Sequence, residues 1–276
     1  MRVLLSQINP VAFEIFGWPV RWYGLIIGLG IALAYLVIMI QAKHKNMDRE
    51  KVSDLIFWAI MMGFVGARLY YVVFNLSYYL ANPTKIVAIW EGGIAIYGGI
   101  LGGLLTLVIL TRRYQISLWD FLDMAVPGLL IAQILGRWGN FVNQEAYGQA
   151  TSLSRLQALG LPDWLIQQMK IDGTYYQPTF LYESSWNLLG LLVLIGLVFL
   201  YKNRRRGDLT YFYLLWYGLG RFYIEGLRSD SLYWGPVRVS QALALIFVVL
   251  SILGFIMSHR YHRLPLDQAK KVRDLS

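Results

Sequence analysis

Apolar residues run along this chain in long, nearly unbroken blocks instead of marking one face of a helix or strand. Seven blocks stand out, approximately Trp22–Ile40, Asp54–Phe74, Gly92–Leu110, Leu118–Leu135, Thr179–Leu200, Leu209–Glu225 and Val239–Met257. Each approaches the roughly 20 residues that a helix needs to cross a hydrocarbon core about 30 Å thick. The first is too long for a cleaved signal and no small-residue cleavage site follows it, so it is expected to remain as a span. The longest polar interval runs from about Gly136 to Pro178. Inside it, Leu153, Leu156, Leu159, Leu161, Trp164, Leu165, Ile166 and Met169 alternate with polar residues, and Gly160 and Pro162 interrupt them. That pattern predicts two short amphipathic helices on a membrane surface, closed by a turn at Asp172-Gly173. No fixed-period repeat or low-complexity segment is visible. The expectation is an all-α integral membrane protein with seven transmembrane helices. It is a single polytopic domain over residues 1–276, with an insertion at about 149–178 and a basic tail at about 259–276.

Charge orients the spans. Lys43, Lys45, Arg49 and Lys51 follow the first block, Arg112 and Arg113 the third, Lys202, Arg204, Arg205 and Arg206 the fifth, and Arg260, Arg263, Lys270, Lys271 and Arg273 the seventh. The positive-inside rule makes those connections cytoplasmic. The N-terminus and the insertion between spans four and five then lie outside, and the C-terminus lies inside. Composition agrees with a membrane solvent: 57% of residues are hydrophobic and 15% charged, against about half and a quarter in soluble domains. The net charge of +9 does not point to nucleic acid, because the basic clusters are short membrane-edge anchors without an aromatic stacking platform. The absence of Cys excludes disulfides, thiolate metal sites and an enzyme-borne thiol nucleophile. His44, His259 and His262 all fall on the cytoplasmic side, so an outer-face site has neither a Ser-His-Asp triad nor a His-rich metal site.

Charge inside a span costs at least about 2.5–3.5 kcal/mol per group near the bilayer centre, which makes each such residue a functional candidate. They are Arg68 in span two, Asp123 in span four, Arg137 and Glu145 just beyond it, Glu183 at the start of span five, and Arg221, Glu225 and Arg228 at the outer end of span six. Arg221, Glu225 and Arg228 are spaced to pair along one helix face, so Glu225 is either structural or catalytic. Arg68 and Asp123 read best as struts between helices. The densest polar stretch, Gly136-Arg137-Trp138-Gly139-Asn140-Phe141-Val142-Asn143-Gln144-Glu145-Ala146-Tyr147-Gly148, is expected to break from helix, since its glycines let backbone turn and approach a ligand. With Arg221 and Arg228 it describes a pocket of up to three guanidiniums and one carboxylate. Guanidinium captures phosphate bidentately, so the implied ligand is an anionic phospholipid headgroup. A second glycine-rich run, Glu91 to Gly103, opens span three. It either permits close helix packing or, through Tyr97 at its centre, belongs to the site.

The run from Gly136 to Glu145 closely resembles the defining motif of the prolipoprotein diacylglyceryl transferases. Other elements are similar in the same order: Arg21-Trp22-Tyr23-Gly24, Gly66-Ala67-Arg68, Asp123 and Pro127 ahead of Arg137, Gln177-Pro178-Thr179-Phe180-Leu181-Tyr182-Glu183, and Tyr217-Gly218-Leu219-Gly220-Arg221 with Glu225 and Arg228. The resemblance implies a bacterial plasma-membrane enzyme that moves the diacylglyceryl group of phosphatidylglycerol to the thiol of a lipobox Cys in a preprolipoprotein. A thioether forms and glycerol 1-phosphate leaves; no cofactor is implied. By the same resemblance Arg137 and Arg221 clamp the phosphate, and Asn140, Tyr23, Gly148 and Tyr217 bind or position the donor. Glu145 orients Arg137 or takes a proton, and Glu225 and Arg228 hold Arg221 or gate access. Arg68, Asp123 and Glu183 support them. Many members carry His at the position of Tyr97, whose phenol, with a pKa near 10, is a poor base at neutral pH. Two rival classes fit less well. An anion transporter predicts paired interrupted spans in two related halves, and a phosphatidyl-alcohol phosphotransferase predicts a paired Asp metal motif; neither pattern is found.

Overall fold

The computed structural model describes residues 7–260. His262, Arg263, Lys270, Lys271 and Arg273, and with them most of the expected basic tail, lie outside the described residues. The chain is mostly helical. Six helices are long and apolar enough to cross a membrane: α1 (Trp22–His44), α2 (Arg49–Phe74), α4 (Ile96–Arg113), α5 (Leu118–Asn143), α8 (Thr179–Leu200) and α10 (Val239–Arg260). The expected sixth span is α9 (Asp208–Glu225), whose 18 residues include Asp208, Arg221 and Glu225. It is helical where expected but more polar than the others. Short helices α3 (Leu76–Ala81), α6 (Leu153–Ala158) and α7 (Asp163–Gln168) complete the helical set. The β structure was not foreseen. Hairpins pair β1 (Val11–Ile15) with β2 (Trp18–Arg21) and β6 (Tyr233–Trp234) with β7 (Val237–Arg238), and a small sheet orders β3 (Ala150–Thr151), β5 (Thr174–Tyr176) and β4 (Lys170–Ile171) side by side.

The chain divides into two compact units. In the one spanning residues 38–124, Asp48 caps α2 by accepting from the Glu50 and Lys51 amides at 3.1 and 3.3 Å, satisfying donors that have no partner in the first turn. α2 packs on α4 backbone to backbone. A Cβ on Gly66 would stand 2.5 Å from the Gly98 carbonyl oxygen, and one on Gly102 would stand 2.5 Å from that of Met62. The glycines of this run therefore permit contact that any side chain would prevent. α4 starts at Ile96 and not at Gly92, because Gly92 and Gly93 take left-handed φ angles of +86° and +77°.

In the unit containing residues 7–37 and 125–260, the sequence expectation of broken helix over Gly136–Gly148 is corrected: α5 continues through Gly136 and Gly139 to Asn143. Gly139 serves packing, since a Cβ there would lie 2.9 Å from the Tyr23 ring. The helix ends in a Schellman turn made without glycine. Gln144 (φ +53°) donates to Phe141 O at 3.2 Å and Glu145 to Asn140 O at 3.0 Å, the paired bonds of that motif. The insertion packs Leu156, Leu165, Ile166 and Met169 against Phe141 of α5 and Phe180 of α8. The two amphipathic helices appear as α6 and α7, and the expected turn is Asp172-Gly173 between β4 and β5. Buried Gln168 on α7 donates to Phe141 O and Val142 O at 3.3 and 3.2 Å, adding a side-chain cap to the last turn of α5. α8 and α9 are joined by Trp186 and Trp216, whose rings stack at 4.5 Å. Each indole N–H donates to the other residue's carbonyl, at 2.9 and 3.0 Å. Gly190 and Gly220 leave room for these rings.

Candidate active site

The C-terminal ends of α5 and α9 and the N-terminal end of α8 bring together charges far apart in sequence. Their centre is Glu183, one turn into α8 and 6% exposed. Arg137 Nη2 lies 2.5 Å from Glu183 Oε2, Arg221 Nη1 donates to Oε1 at 3.3 Å, and Arg228 Nη1 stands 3.8 Å from Oε1. Trp138 fixes the interface by donating to Ser184 Oγ at 3.1 Å. Each guanidinium also has a local partner. Arg221 Nη2 is 2.6 Å from Glu225 Oε2, one turn on along α9, and reaches Ser240 Oγ on α10 at 3.5 Å. Arg228 is held bidentately by Asp230, at 2.9 and 2.7 Å. Glu225 is 1% exposed, and its backbone carbonyl accepts from Arg238 Nη1. Three guanidiniums thus meet three carboxylates, Glu183, Glu225 and Asp230. Pairing of this kind is what makes buried charge tolerable. Asp230, outside the spanning segments, has its carboxyl held below the usual range by the hydrogen bonds from Arg228.

The sequence motif contributes a second layer. Arg137 Nη1 donates to Asn140 Oδ1 at 3.2 Å, and Asn140 Nδ2 donates to Glu145 Oε1 at 3.1 Å, which Asn143 Nδ2 also approaches at 3.4 Å. Glu145 therefore connects to Arg137 through Asn140, whereas the carboxylate in direct contact with Arg137 is Glu183. Glu145 sits between two non-glycine residues in left-handed backbone, Gln144 and Ala146 (φ +57°). Such strain persists where surroundings enforce it and concentrates at functional sites. The enforcement is visible: Thr179 Oγ1 donates to Ala146 O at 2.7 Å and Gln144 Nε2 to Gln168 O at 2.7 Å.

The remaining candidates divide between the two units. The Tyr23 ring packs on Gly139. The Tyr217 ring stacks on Tyr213, with centroids 5.9 Å apart. Gly148 is a backbone junction: its N–H donates to Gln177 O at 3.0 Å, it bridges to Arg228, and a Cβ there would lie 2.7 Å from the Gln177 side chain. In the other unit, Tyr97 is partly buried at the start of α4 and Asp123 is buried within α5. Arg68 donates to the carbonyls of Ile86, Gly92, Gly93, Lys85 and Ala88. Its guanidinium also lies over the Tyr79 ring at 5.2 Å. Sequence reasoning missed Asp230, Ser240 and the centrality of Glu183. The spacing of Arg228 and Asp230 was the one available signal; the convergence on Glu183 comes from three helices and has none. Among the described residues no group of three or more His, Asp or Glu is placed to hold a metal ion.

Comparison with known proteins identifies the family. Residues 10–257 match the family described as prolipoprotein diacylglyceryl transferase. Proteins named phosphatidylglycerol–prolipoprotein diacylglyceryl transferase are similar over nearly their whole length. That of Listeria monocytogenes serovar 1/2a is 49% identical, covering 98% of this chain and 95% of the relative. That of Lysinibacillus sphaericus is 48% identical, covering 99% of each. That of Streptococcus mutans is 47% identical, covering 95% of this chain and all of the relative. A chain that matches this family from its first hairpin to its last helix, at nearly half identity to these relatives, belongs to the prolipoprotein diacylglyceryl transferases.

Proposed function

We propose that this protein transfers the diacylglyceryl group of phosphatidylglycerol to the cysteine thiol of a prolipoprotein lipobox, at the outer face of a bacterial plasma membrane. The whole chain acts as one polytopic membrane protein, with α9 as a seventh span beside the six more apolar helices. The N-terminus is outside and the C-terminus inside, which puts the ends of α5 and α9 and the start of α8 at the outer face. The observation that carries the reading is the convergence of Arg137, Arg221 and Arg228 on the Glu183 carboxylate. A phosphodiester presents two non-bridging oxygens that guanidinium also binds bidentately, and it can exchange with a carboxylate partner.

In the reaction the thiolate sulfur bonds to the glyceryl carbon, the carbon–oxygen bond to phosphate breaks, and glycerol 1-phosphate departs with that bonding pair. Negative charge moves onto phosphate oxygens, where preplaced Arg137 and Arg221 act most strongly in a water-poor site. The same positive groups lower the substrate thiol's pKa from about 8.5 and raise its thiolate fraction. Asn140 holds the headgroup and keeps Arg137 in line with Glu145, which takes the thiol proton. Tyr23 and Tyr217 position the donor, and Glu225 and Arg228 fix Arg221. Glu183 is the resting partner that phosphate replaces. Gly148 shapes the site through close backbone approach, and Arg68 and Asp123 are structural. Tyr97, in the unit spanning residues 38–124, is a candidate by the resemblance alone and has no assigned role. The test uses purified protein, phosphatidylglycerol vesicles and a lipobox peptide. A thioether-linked diacylglyceryl peptide is expected without added metal and is lost in Arg137→Ala; equal product from that variant overturns the clamp.

A further inference from the structure

The polar residues do not stop at the arginines. Gln133 lies four residues before Arg137 on α5, and Tyr217 and Tyr213 lie four and eight before Arg221 on α9. Each step of four is slightly more than one turn, about 6 Å, along the same helix face. In the proposed orientation they descend from the charged cluster toward the bilayer centre. Gln133 Nε2 donates to Tyr213 Oη at 2.7 Å, and the Tyr213 and Tyr217 rings stack at 22° to one another. All three side chains are partly buried. Having accepted from Gln133, the Tyr213 hydroxyl keeps its own proton to donate. Gln133 Oε1 is buried and accepts no hydrogen bond among the described residues.

An interhelical tie between α5 and α9 accounts for the first bond but leaves a buried acceptor unpaired, which is costly in an apolar setting. The pair thus offers one donor and one acceptor side by side. The diacylglyceryl part of a phospholipid carries ester oxygens only and has nothing to give Gln133 Oε1. An extended peptide residue turns its own N–H and C=O to the same side of the chain. In a signal peptide the apolar segment precedes the processing site, so the residues before the thiol run from the arginine cluster down into the membrane, alongside this row.

We infer that Gln133 and Tyr213, walled by Tyr217, hold the backbone N–H and C=O of one extended residue of the acceptor polypeptide, on the N-terminal side of its thiol. Its C=O accepts from the Tyr213 hydroxyl. Its N–H donates to Gln133 Oε1 after the carboxamide turns about its soft terminal torsion. An extended chain rises about 3.3 Å per residue, which puts this residue about two or three positions before the cysteine. The inference rests on the reading above, in which a peptide thiol is the acceptor.

The experiment compares two lipobox peptides on the intact enzyme in phosphatidylglycerol vesicles: one all-amide, the other with the amide N–H at that position replaced by an ester oxygen. With wild type the ester peptide should show a KM about tenfold higher, the worth of one hydrogen bond in a dry site, with the KM for phosphatidylglycerol unchanged. In Gln133→Met the two peptides should become equivalent, and Tyr213→Phe should raise the KM of both. An ester peptide as good as the amide at each of the five positions before the cysteine, or a rise confined to the lipid KM, overturns the inference while leaving the proposed reaction standing. No thioether product from the all-amide peptide and wild type overturns the reaction itself. Because the peptide comparison is made on wild type, it holds even where a variant fails to fold.

Discussion

Arg68 and Arg137 are both arginines on long apolar helices, yet they are held by opposite means. Arg68 gives its donors to the carbonyls of the segment between Lys85 and Gly93. Those acceptors are backbone and cannot leave, so the guanidinium is a staple that fixes the connection entering α4. Arg137, Arg221 and Arg228 instead face the side chains of Glu183, Glu225 and Asp230. A carboxylate can turn away and give its place to another anion. Guanidinium bound to main chain is therefore architecture, whereas in the proposed function guanidinium bound to side-chain carboxylate is a site whose carboxylate stands in for the ligand.

That contrast can be broken or sharpened by substitution. Arg221→Ala should show the largest effect, a fall in kcat/KM of about a thousandfold, or roughly 4 kcal/mol, as when an oxyanion donor is removed. Circular dichroism should stay unchanged. Glu183→Gln leaves the guanidiniums without their shared counter-charge and should lower stability by about 3 kcal/mol, read as a drop in Tm in detergent. Added glycerol 1-phosphate should raise the Tm of this variant more than that of wild type; equal shifts would contradict the exchange of carboxylate for phosphate. Arg68→Met should cost about 2–3 kcal/mol by orphaning buried carbonyls, while the folded fraction keeps its KM for phosphatidylglycerol. Gly220→Ala, which pushes a methyl group into the Trp186 indole, should cost about 1–3 kcal/mol with loss of rate as α8 and α9 are forced apart. The smallest effect is that of pH on the Arg228–Asp230 pair. Because Asp230 titrates below its ordinary range, the pair's contribution is present above about pH 4 and fades as pH falls through the lowered value. Asp230 is half exposed, so the gap in unfolding free energy between wild type and Asp230→Asn should amount to no more than a few tenths of a kcal/mol, visible at pH 7 and closing toward pH 3.

Spans are written in composition, and their places along the chain were legible for that reason. α8 begins and ends where its apolar block does. Misreadings came where local preference gave way to packing. Gly136 and Gly139 have the backbone freedom to break a helix, but α5 continues through both, and Gly139 admits the Tyr23 ring. The turn that does follow uses Gln144 and Ala146, residues that disfavour left-handed backbone and hold it because Thr179 and Gln168 bond to it. Within the site, Arg137, Asn140 and Glu145 could be read together because they are neighbours in sequence. Glu183 could be named but not ranked, since its weight depends on three helices meeting. The small sheet and the hairpins are too short to leave a periodic trace.

The paired indoles of Trp186 and Trp216 have an optical consequence. Two such chromophores stacked at 4.5 Å and 20° couple their transitions, so the protein carries a built-in near-ultraviolet couplet. Its amplitude follows the separation of the helix bearing Glu183 from the one bearing Arg221. Lipid or peptide binding that leaves the couplet intact moves neither helix against the other, and these two bearers of the charged cluster then shift as one rigid rod.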